Sequence, residues 1–339
     1  MTSTVLAGFD LPAQREASAP PEARGTPRDE VALMVSRRAT SEISHHRFSA
    51  LPGMLLPGDL LVVNTSATIP AAVRCGRRLW VHFSTPLPDG AWLAELRSAA
   101  GRATVPYRGG SAGQVLTLPG SARLTLCERV TGRLWRARLS TAVLPYLRRE
   151  GAPIRYSYVD RAWPLEAYQT VFAVIPGSAE MPSASRPFTA GMVARLVARG
   201  ITIAPVTLHT GVSSLEGDEE PYPEPFEVPP ATARLVGLTH RSGGRVIAAG
   251  TTVVRALESA ASSNGQMRAL AGWTSHVVTP ATGLRAVHGL LTGLHEPRSS
   301  HLRMLAAFAG PDLLRSCYEA ALERDYLWHE FGDVHLLLP

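Results

Sequence analysis

The amino-acid sequence predicts an α/β protein: a discontinuous α/β main domain with an inserted small antiparallel β-barrel domain. Residues 71–161 hold 15 Arg against five acidic residues, a net charge of +10, whereas the rest of the chain carries −4. The same stretch consists of short apolar runs, and after Tyr158 longer helices alternate with apolar strands. We therefore predict an insert over 71–154 and a main domain formed by 1–70 and 155–339.

Short runs of alternating polarity, separated by Gly, Pro and Ser, characterise the insert. Such runs are typical of antiparallel strands joined by turns, and several in succession favour a small barrel. The predicted strands cover residues 79–83, 92–97, 115–118, 122–127 and 134–139.

Apolar runs alternate with helical periodicity in the main domain, which favours a mainly parallel or mixed sheet. The predicted strands cover residues 31–36, 60–64, 201–209, 245–249 and 334–338. The predicted helices cover 188–199, 229–241, 252–262, 300–309 and 311–324. The Pro- and Ala-rich residues 13–29 are predicted to form an extended arm or loop.

Composition excludes several kinds of chemistry. All 34 basic residues are Arg, so neither a Schiff-base lysine nor the lysine of a Walker A loop is available. The three cysteines are far apart, and no His or Cys pair has the spacing of a metal site, so we expect no metal. Without a signal pattern or an apolar run of membrane length, the sequence favours a soluble cytoplasmic protein.

Three polar clusters follow predicted strands: Asn64-Thr65-Ser66, His209-Thr210-Gly211 and Gly250-Thr251-Thr252. In an open α/β sheet, ligands bind beyond the carboxyl ends of the strands, and a helix N-terminus there attracts anions. Arg255, one turn into the next helix, is placed to pair with a carboxylate. Taken singly, Thr251 is more typical of an ordinary helix cap, and His209 of a structural histidine. The functional hypothesis therefore depends on the three clusters lying together at one edge of the sheet.

Other polar residues give weaker signals. The pair His45-His46 is predicted to lie in a solvated loop, and His295 precedes a helix N-terminus. The acid-rich residues 216–227 are predicted to form a mobile loop, with Glu224 near its end as a base or as a partner for a cation.

Motifs spread over nearly the whole chain resemble those of the S-adenosylmethionine:tRNA ribosyltransferase-isomerase family. They are FDLP at 9–12, PGDLLVVN at 57–64, IPA at 69–71, YQTVF at 168–172, VTLH at 206–209, FEVP at 226–229, RVIAAGTT at 245–252, VRALES at 254–259, AAFAG at 306–310 and GD at 332–333. The resemblance implies the discontinuous α/β fold with an inserted barrel. It also implies transfer of a ribosyl unit from S-adenosylmethionine to a 7-aminomethyl-7-deazaguanine at the tRNA wobble position, which forms epoxyqueuosine and releases adenine and methionine.

The implied reaction assigns expected roles to the matched residues. A base must remove the 5′ proton that the sulfonium acidifies; the catalytic candidates are His209, Glu224 and His295. Donors to the methionine carboxylate are expected from Thr251, Thr252 and Arg255. An aromatic face at Tyr168 or Phe172 would stabilise the sulfonium by cation–π attraction. The remaining expected binding residues are Asn64, Thr65, Thr170 and Asp333.

Several family positions carry other residues in this chain, namely Ala67, Ala72, Trp80, Pro187, Tyr222, Thr279 and Thr282. They replace two Arg, an acid, two His and two aromatic residues of the family pattern. We therefore expect a divergent enzyme that uses S-adenosylmethionine with a changed acceptor, such as a small molecule, or a changed reaction. The alternatives are the true tRNA enzyme, with tRNA bound through the basic insert 71–161, and a non-catalytic paralogue that binds RNA or a ligand.

Overall fold

The computed structural model describes residues 9–101, 103–212, 222–297 and 299–339. The main body contains strands β1 (Ala32–Arg37), β2 (Glu42–Arg47), β3 (Leu60–Asn64), β4 (Ser66–Thr68), β12 (Ile175–Ser178), β13 (Thr202–Leu208), β14 (Glu224–Val228), β15 (Val246–Ala249), β16 (Leu270–Thr274), β17 (Gly289–Gly293) and β18 (Val334–Leu338). Its helices are α2 (Ala190–Ala198), α3 (Pro230–Arg241), α4 (Thr251–Ala260), α5 (His301–Ala309) and α6 (Pro311–Glu323).

Nine strands form one mixed sheet in the order β16-β14-β13-β3-β15-β17-β18-β1-β2, and β4 and β12 form a separate parallel pair. Strand β3 lies at the centre, parallel to both β13 and β15. Its side chains alternate between the two faces of the sheet. Leu60 and Val62 pack with α3–α6, whereas Leu61 and Val63 pack with α2. Because both faces are covered, β3 is apolar throughout until Asn64 ends it.

The insert lies between β4 and β12 in the chain. It contains β5 (Ala72–Cys75), β6 (Leu79–Pro86), β7 (Trp92–Ala100), β8 (Ala103–Pro106), β9 (Val115–Thr117), β10 (Arg123–Arg129), β11 (Leu134–Leu139) and α1 (Val143–Glu150). The strands pair antiparallel in the order β5-β6-β7-β11-β10-β9, with β8 on β7. The thiol of Cys75 on β5 lies 3.6 Å from the carbonyl oxygen of Thr117 on β9, so the sheet curls almost closed.

The predicted fold class is confirmed, and the strands and helices predicted after residue 188 agree with the structure within two residues at either end. The domain limits at residues 70 and 154 stay a prediction. A backbone bridge between Ala72 and Ala152 holds the two ends of the insert together. None of the helices in the described ranges is long and apolar enough to cross a membrane.

Two loop predictions are wrong in the residues that the structure describes. His45 and His46 lie on strand β2, which pairs with β1, and the His45 Nδ1 atom is 2.9 Å from the Tyr326 hydroxyl. Glu224 begins strand β14, which pairs with β13 and β16. Phe226 and Val228 are buried on this strand. Their burial holds residues 224–228 in place, although the acidic composition predicted a mobile segment up to residue 227. Residues 213–221 of the same acidic stretch lie outside the described residues.

Candidate active site

The structure brings the three predicted clusters together, because they end the adjacent parallel strands β13, β3 and β15. The Asn64 side chain connects them. Its amide group donates to the Leu208 carbonyl at 2.9 Å and to the Thr252 hydroxyl at 3.2 Å. Its carbonyl oxygen accepts from the backbone N–H groups of Ser66 and Leu208. Asn64 is fully buried, so it fixes the strand ends rather than facing a ligand.

His209 lies beside this junction. Its Nδ1 atom is 2.7 Å from the Ser66 hydroxyl, which is itself 2.6 Å from the Ser178 hydroxyl. Burial lowers the pKa of His209 below its ordinary value, so the ring is neutral at pH 7. A β-carbon at Gly177 would lie 2.4 Å from the same nitrogen, so a glycine is required for the close packing of this ring. The ring stands behind the site, whereas its neighbours Thr210 and Gly211 line it.

A cavity of about 280 Å³ opens over the strand ends. Its wall is formed by the main body and the insert together, for example by Thr251 at the start of α4 and by Ser84 on β6. The expected site residues that line it are Tyr168, Glu224, Thr251, Thr252, Arg255 and His295. Helix α4 begins directly after Gly250, whose φ of 110° suits glycine, and no side chain caps it, so Thr251 is not the predicted cap.

Glu224 and Arg255 form an ion pair in the cavity wall. Glu224 also accepts a hydrogen bond of 2.9 Å from the Gly211 backbone N–H. Burial raises the pKa of Glu224, while Arg255 and this N–H oppose the rise. Arg255 donates further to the carbonyl oxygens of Tyr222, Thr274 and His276. In this structure the Arg255 guanidinium is therefore held by protein groups, and its predicted pairing with a ligand carboxylate stays a prediction.

His295 stacks on His301, with ring centroids 4.5 Å apart, and both rings line the cavity. The Nε2 atom of His295 lies 2.8 Å from the Thr292 hydroxyl. Burial lowers the pKa of His295 well below its ordinary value and that of His301 to about 4, so both imidazoles are neutral at pH 7. A neutral imidazole can accept a proton.

A stack of three rings forms another part of the wall, and the sequence did not predict it. Tyr158 lies between Tyr156 and His329, at centroid distances of 5.6 and 3.9 Å. The Tyr158 hydroxyl donates to Glu330 at 2.8 Å, and Tyr156 donates to Glu180. His329 has a φ of 72°, which is uncommon for a residue with a side chain. The short Tyr-x-Tyr spacing at 156–158 was the signal available in the sequence.

Four expected site residues lie away from the cavity. Thr65 bonds to strand β13 through the Val206 carbonyl, and the Thr170 hydroxyl accepts from the Phe172 N–H. The Phe172 ring packs on Phe188, with centroids 5.3 Å apart, so it is not available to a sulfonium. Asp333 accepts hydrogen bonds from the backbone N–H groups of Ala32 and Leu327, both at 2.7 Å. Its role in this structure is therefore to join these two segments of the backbone.

Charge in the wall is opposite to that of the whole chain. Among the described lining residues the acids are Glu180, Glu224, Glu296 and Glu330, against the guanidinium of Arg255; burial raises the pKa of Glu330 to about 8, so the negative charge at pH 7 comes from the other three. Aromatic rings and carboxylates together suit a cation more than an anion. Across the described ranges, no three His, Cys, Asp or Glu side chains are grouped to hold a metal ion.

The fold and the cavity define a class of α/β protein with a barrel-like insert and a substrate-sized site at the carboxyl edge of its sheet. A family model described as queuosine biosynthesis protein matches residues 7–337. The chain belongs to this family.

Individual relatives match over their full length. A protein of Acidiphilium cryptum named S-adenosylmethionine:tRNA ribosyltransferase-isomerase is 36% identical over 98% of this chain and 99% of its own. One of the same name from Anaeromyxobacter dehalogenans (strain 2CP-1) is 37% identical over 97% of both. The solved structure of an S-adenosylmethionine tRNA ribosyltransferase from Thermotoga maritima has a TM-score of 0.55 and 27% identity, covering 97% of this chain and 99% of that one.

Proposed function

We propose that this protein is an enzyme that transfers and isomerises the ribosyl unit of S-adenosylmethionine onto tRNA, and that it acts in the cytoplasm. The observation that carries the proposal is the cavity, where the strand-end clusters meet an aromatic and acidic wall. Relatives that match this chain over nearly its whole length bear the corresponding name.

The wall suits a sulfonium donor. The sulfonium is a cation, and the Tyr168 ring and the carboxylates of the wall are groups that stabilise a cation. The methionine carboxylate is an anion, for which the free N–H groups at the start of α4 and the hydroxyls of Thr251 and Thr252 are suited. Arg255 orients Glu224 in this proposal and does not contact the donor.

We assign proton abstraction to His295 among the three catalytic candidates. Its ring lines the cavity and is neutral; in the tautomer whose Nε2–H donates to Thr292, Nδ1 carries the lone pair that would accept the proton. Glu224 is held by Arg255 and by the Gly211 N–H. His209 is held against Ser66 behind the wall.

The insert supplies the cationic surface that tRNA phosphates require. Residues 71–161 carry a net charge of +10, and exposed Arg side chains such as Arg77 and Arg78 occupy the turn between β5 and β6. Arginine–phosphate contacts release counterions and give salt-dependent affinity.

The test is to incubate purified protein with S-adenosylmethionine and tRNA that carries the unmodified wobble precursor, and to measure adenine and methionine. We expect both products from the wild type, and a loss of at least about 100-fold in kcat for His295→Gln with donor affinity retained. Arg315→Gln, on the exposed side of α6, is the matched surface control. Unchanged turnover in His295→Gln contradicts the assignment of the base.

A changed acceptor, such as a small molecule, is the second candidate, and one observation favours it. Thr279 and Thr282, which replace two aromatic residues of the family pattern, bond to each other in an exposed turn and do not line the cavity. They therefore cannot stack on a base there. Donor binding without product release on tRNA supports this candidate, and absence of both donor binding and release supports a non-catalytic paralogue.

A further inference from the structure

The insert contains a buried cluster of charges. Glu95 on β7 is 1% exposed and forms ion pairs with Arg97 at 2.8 Å and with Arg133 at 3.1 Å. Burial raises the pKa of the Glu95 carboxyl, and the two guanidinium groups oppose the rise. The family pattern expects an acid on the first insert strand, where this chain has Trp80, and here the buried carboxylate lies on the neighbouring strand β7. Burying these charges costs desolvation free energy. We therefore expect a role of the cluster other than stabilising the barrel.

The cluster reaches the cavity through Tyr222. The guanidinium of Arg133 lies 5.6 Å from the centroid of the Tyr222 ring, and the Tyr222 hydroxyl donates to the Thr131 hydroxyl at 3.4 Å. The backbone carbonyl of Tyr222 accepts from Arg255 at 3.3 Å. Two residues further on, Glu224 forms the ion pair with the same Arg255.

A second connection from the insert reaches the same wall. The backbone N–H of Val212 donates to the Ser84 hydroxyl on β6 at 3.0 Å, and the Val212 side chain packs in the core of the insert. The adjacent Gly211 donates its N–H to Glu224. A β-carbon at Gly211 would lie 2.6 Å from the Ser84 hydroxyl oxygen, so this approach requires a glycine. The segments around Gly211–Val212 and around Tyr222 are therefore both attached to the insert.

We infer that Glu95, Arg133 and Tyr222 are positioning residues, through which the insert holds the Glu224–Arg255 pair in place in the cavity. The inference rests on the proposed function for its effect on turnover, but its structural part is independent of any activity. Neither Glu95 nor Arg133 belongs to a family motif or to the predicted site, and Tyr222 stands where the family pattern has a His. The insert would then have two separate tasks, since its exposed arginines contact RNA and its buried charges shape the cavity.

The distinguishing variant is Tyr222→Ala, because it removes the ring under Arg133 and leaves both the buried cluster and the backbone carbonyl of residue 222. We expect kcat to fall about 10- to 100-fold, with KM for S-adenosylmethionine changed less than about threefold, since a displaced group costs turnover more than binding. Tyr222→Phe keeps the ring and should restore most of kcat. Glu95→Gln, which leaves two buried guanidinium groups without their carboxylate, should repeat the Tyr222→Ala pattern if it folds.

Hydrogen exchange gives the readout that does not depend on activity. In Tyr222→Ala, amide protection of Glu224, Phe226 and residues 210–212 should fall at least about tenfold, while protection of β15 and of β10 stays as in the wild type. Arg315→Gln on α6 should change neither region. Unchanged protection in these two segments of a folded Tyr222→Ala variant overturns the inference, even if the wild type proves inactive. If instead protection falls but the wild type releases no adenine with tRNA, the proposed function fails and the positioning role stands.

Discussion

The cavity and the outer surface of the insert differ in both the sign and the setting of their charges. The described residues that line the cavity include four acids, of which Glu330 is mostly protonated at pH 7, and the guanidinium of Arg255; the side chains of Glu224 and Arg255 are 13% and 9% exposed. The insert carries a net charge of +10 over residues 71–161, and much of it is exposed, as at Arg74, Arg77 and Arg78. The two regions are adjacent, since Ser84 of the insert lines the cavity.

This contrast teaches that the net charge of +6 describes neither region. An exposed arginine is solvated and screened, so it serves association with a polyanion and adds little to folding. A buried charge needs its partner, so a buried pair fixes the positions of the two side chains. Removing one partner lowers the free energy of unfolding strongly. The same molecule can therefore attract a polyanion outside while accommodating a cation inside.

Breaking the buried pair should have the largest effect. Arg255→Leu leaves Glu224 as a buried carboxylate without its partner and should lower the free energy of unfolding by about 3–5 kcal/mol. Urea unfolding followed by circular dichroism measures this. The double variant Arg255→Leu/Glu224→Leu should recover most of the loss, and a double variant as unstable as the single one would contradict the pairing argument.

The second largest effect is expected from acid, which should lower the free energy of unfolding through the buried histidines. Burial lowers the folded-state pKa values of His82 and His335 to about 3 and those of His301 and His329 to about 4. These rings stay neutral when folded, while the unfolded chain takes up protons below the ordinary pKa of 6.5. The contribution of these four histidines is therefore complete above pH 6.5 and falls as the pH drops toward 4, by about 1.4 kcal/mol per pH unit for each histidine; Glu330, whose pKa burial raises from 4.5 to about 8, offsets one of them between pH 6.5 and 4.5.

The variant His335→Leu removes the contribution of one histidine to the pH dependence of the unfolding free energy. His335 is fully buried, its Nε2 atom is 2.8 Å from the Ser36 hydroxyl, and its Nδ1 atom has no hydrogen-bond partner among the described residues. The slope of the unfolding free energy against pH should decrease by about one proton between pH 6 and 4. Urea titrations at several pH values measure the slope; an unchanged slope would show that His335 is not held neutral.

Removing exposed charge should alter association without altering stability. Arg77→Gln/Arg78→Gln should weaken tRNA binding and reduce the slope of log affinity against log salt by about 0.9 for each phosphate that is no longer neutralised. The donor affinity and the unfolding midpoint should stay as in the wild type. Arg315→Gln on α6 is the surface-charge control, and an equal loss of tRNA affinity per charge there would mean that the insert has no special part in binding.

The smallest effect is expected at an exposed ion pair of the insert. Arg138 is 50% exposed and pairs with Asp89 at 2.7 Å. Arg138→Gln should leave the midpoint of urea unfolding within experimental error, because solvent screens such pairs. A clear loss of stability would remove the distinction between the solvated and the buried charges.

The part of the site that follows strands was predictable from sequence. Asn64, His209 and Thr252 end runs of apolar residues, and parallel strands bring such ends to one edge of a sheet. Local periodicity was therefore enough to predict that these residues meet, and the structure shows Asn64 bonded to Thr252. It was not enough to predict which of them face the cavity, because that depends on packing between strands.

The remaining part of the site depends on contacts between distant segments. Tyr158 and His329 stack although only the Tyr-x-Tyr spacing marks the first and no local pattern marks the second, and the loop before β18 brings His329 there. Glu224 was misplaced because an acidic, proline-containing stretch hides the short alternation of Phe226 and Val228. Strand β2 was missed because Glu42-Ile43-Ser44-His45-His46-Arg47 has a weak apolar face at the edge of the sheet.

Sheet connectivity also sets an order of assembly during synthesis. The neighbouring insert strands β6 and β7 can pair as soon as both leave the ribosome, since they are consecutive in the chain. Strand β1 instead waits for β18, and the hydrogen bond between Ala32 and Asp333 joins residues 301 positions apart. At about 5–20 residues per second, that interval lasts about 15–60 s. The insert is therefore complete while the main sheet still lacks its later strands, and the cavity between them is among the last features to form.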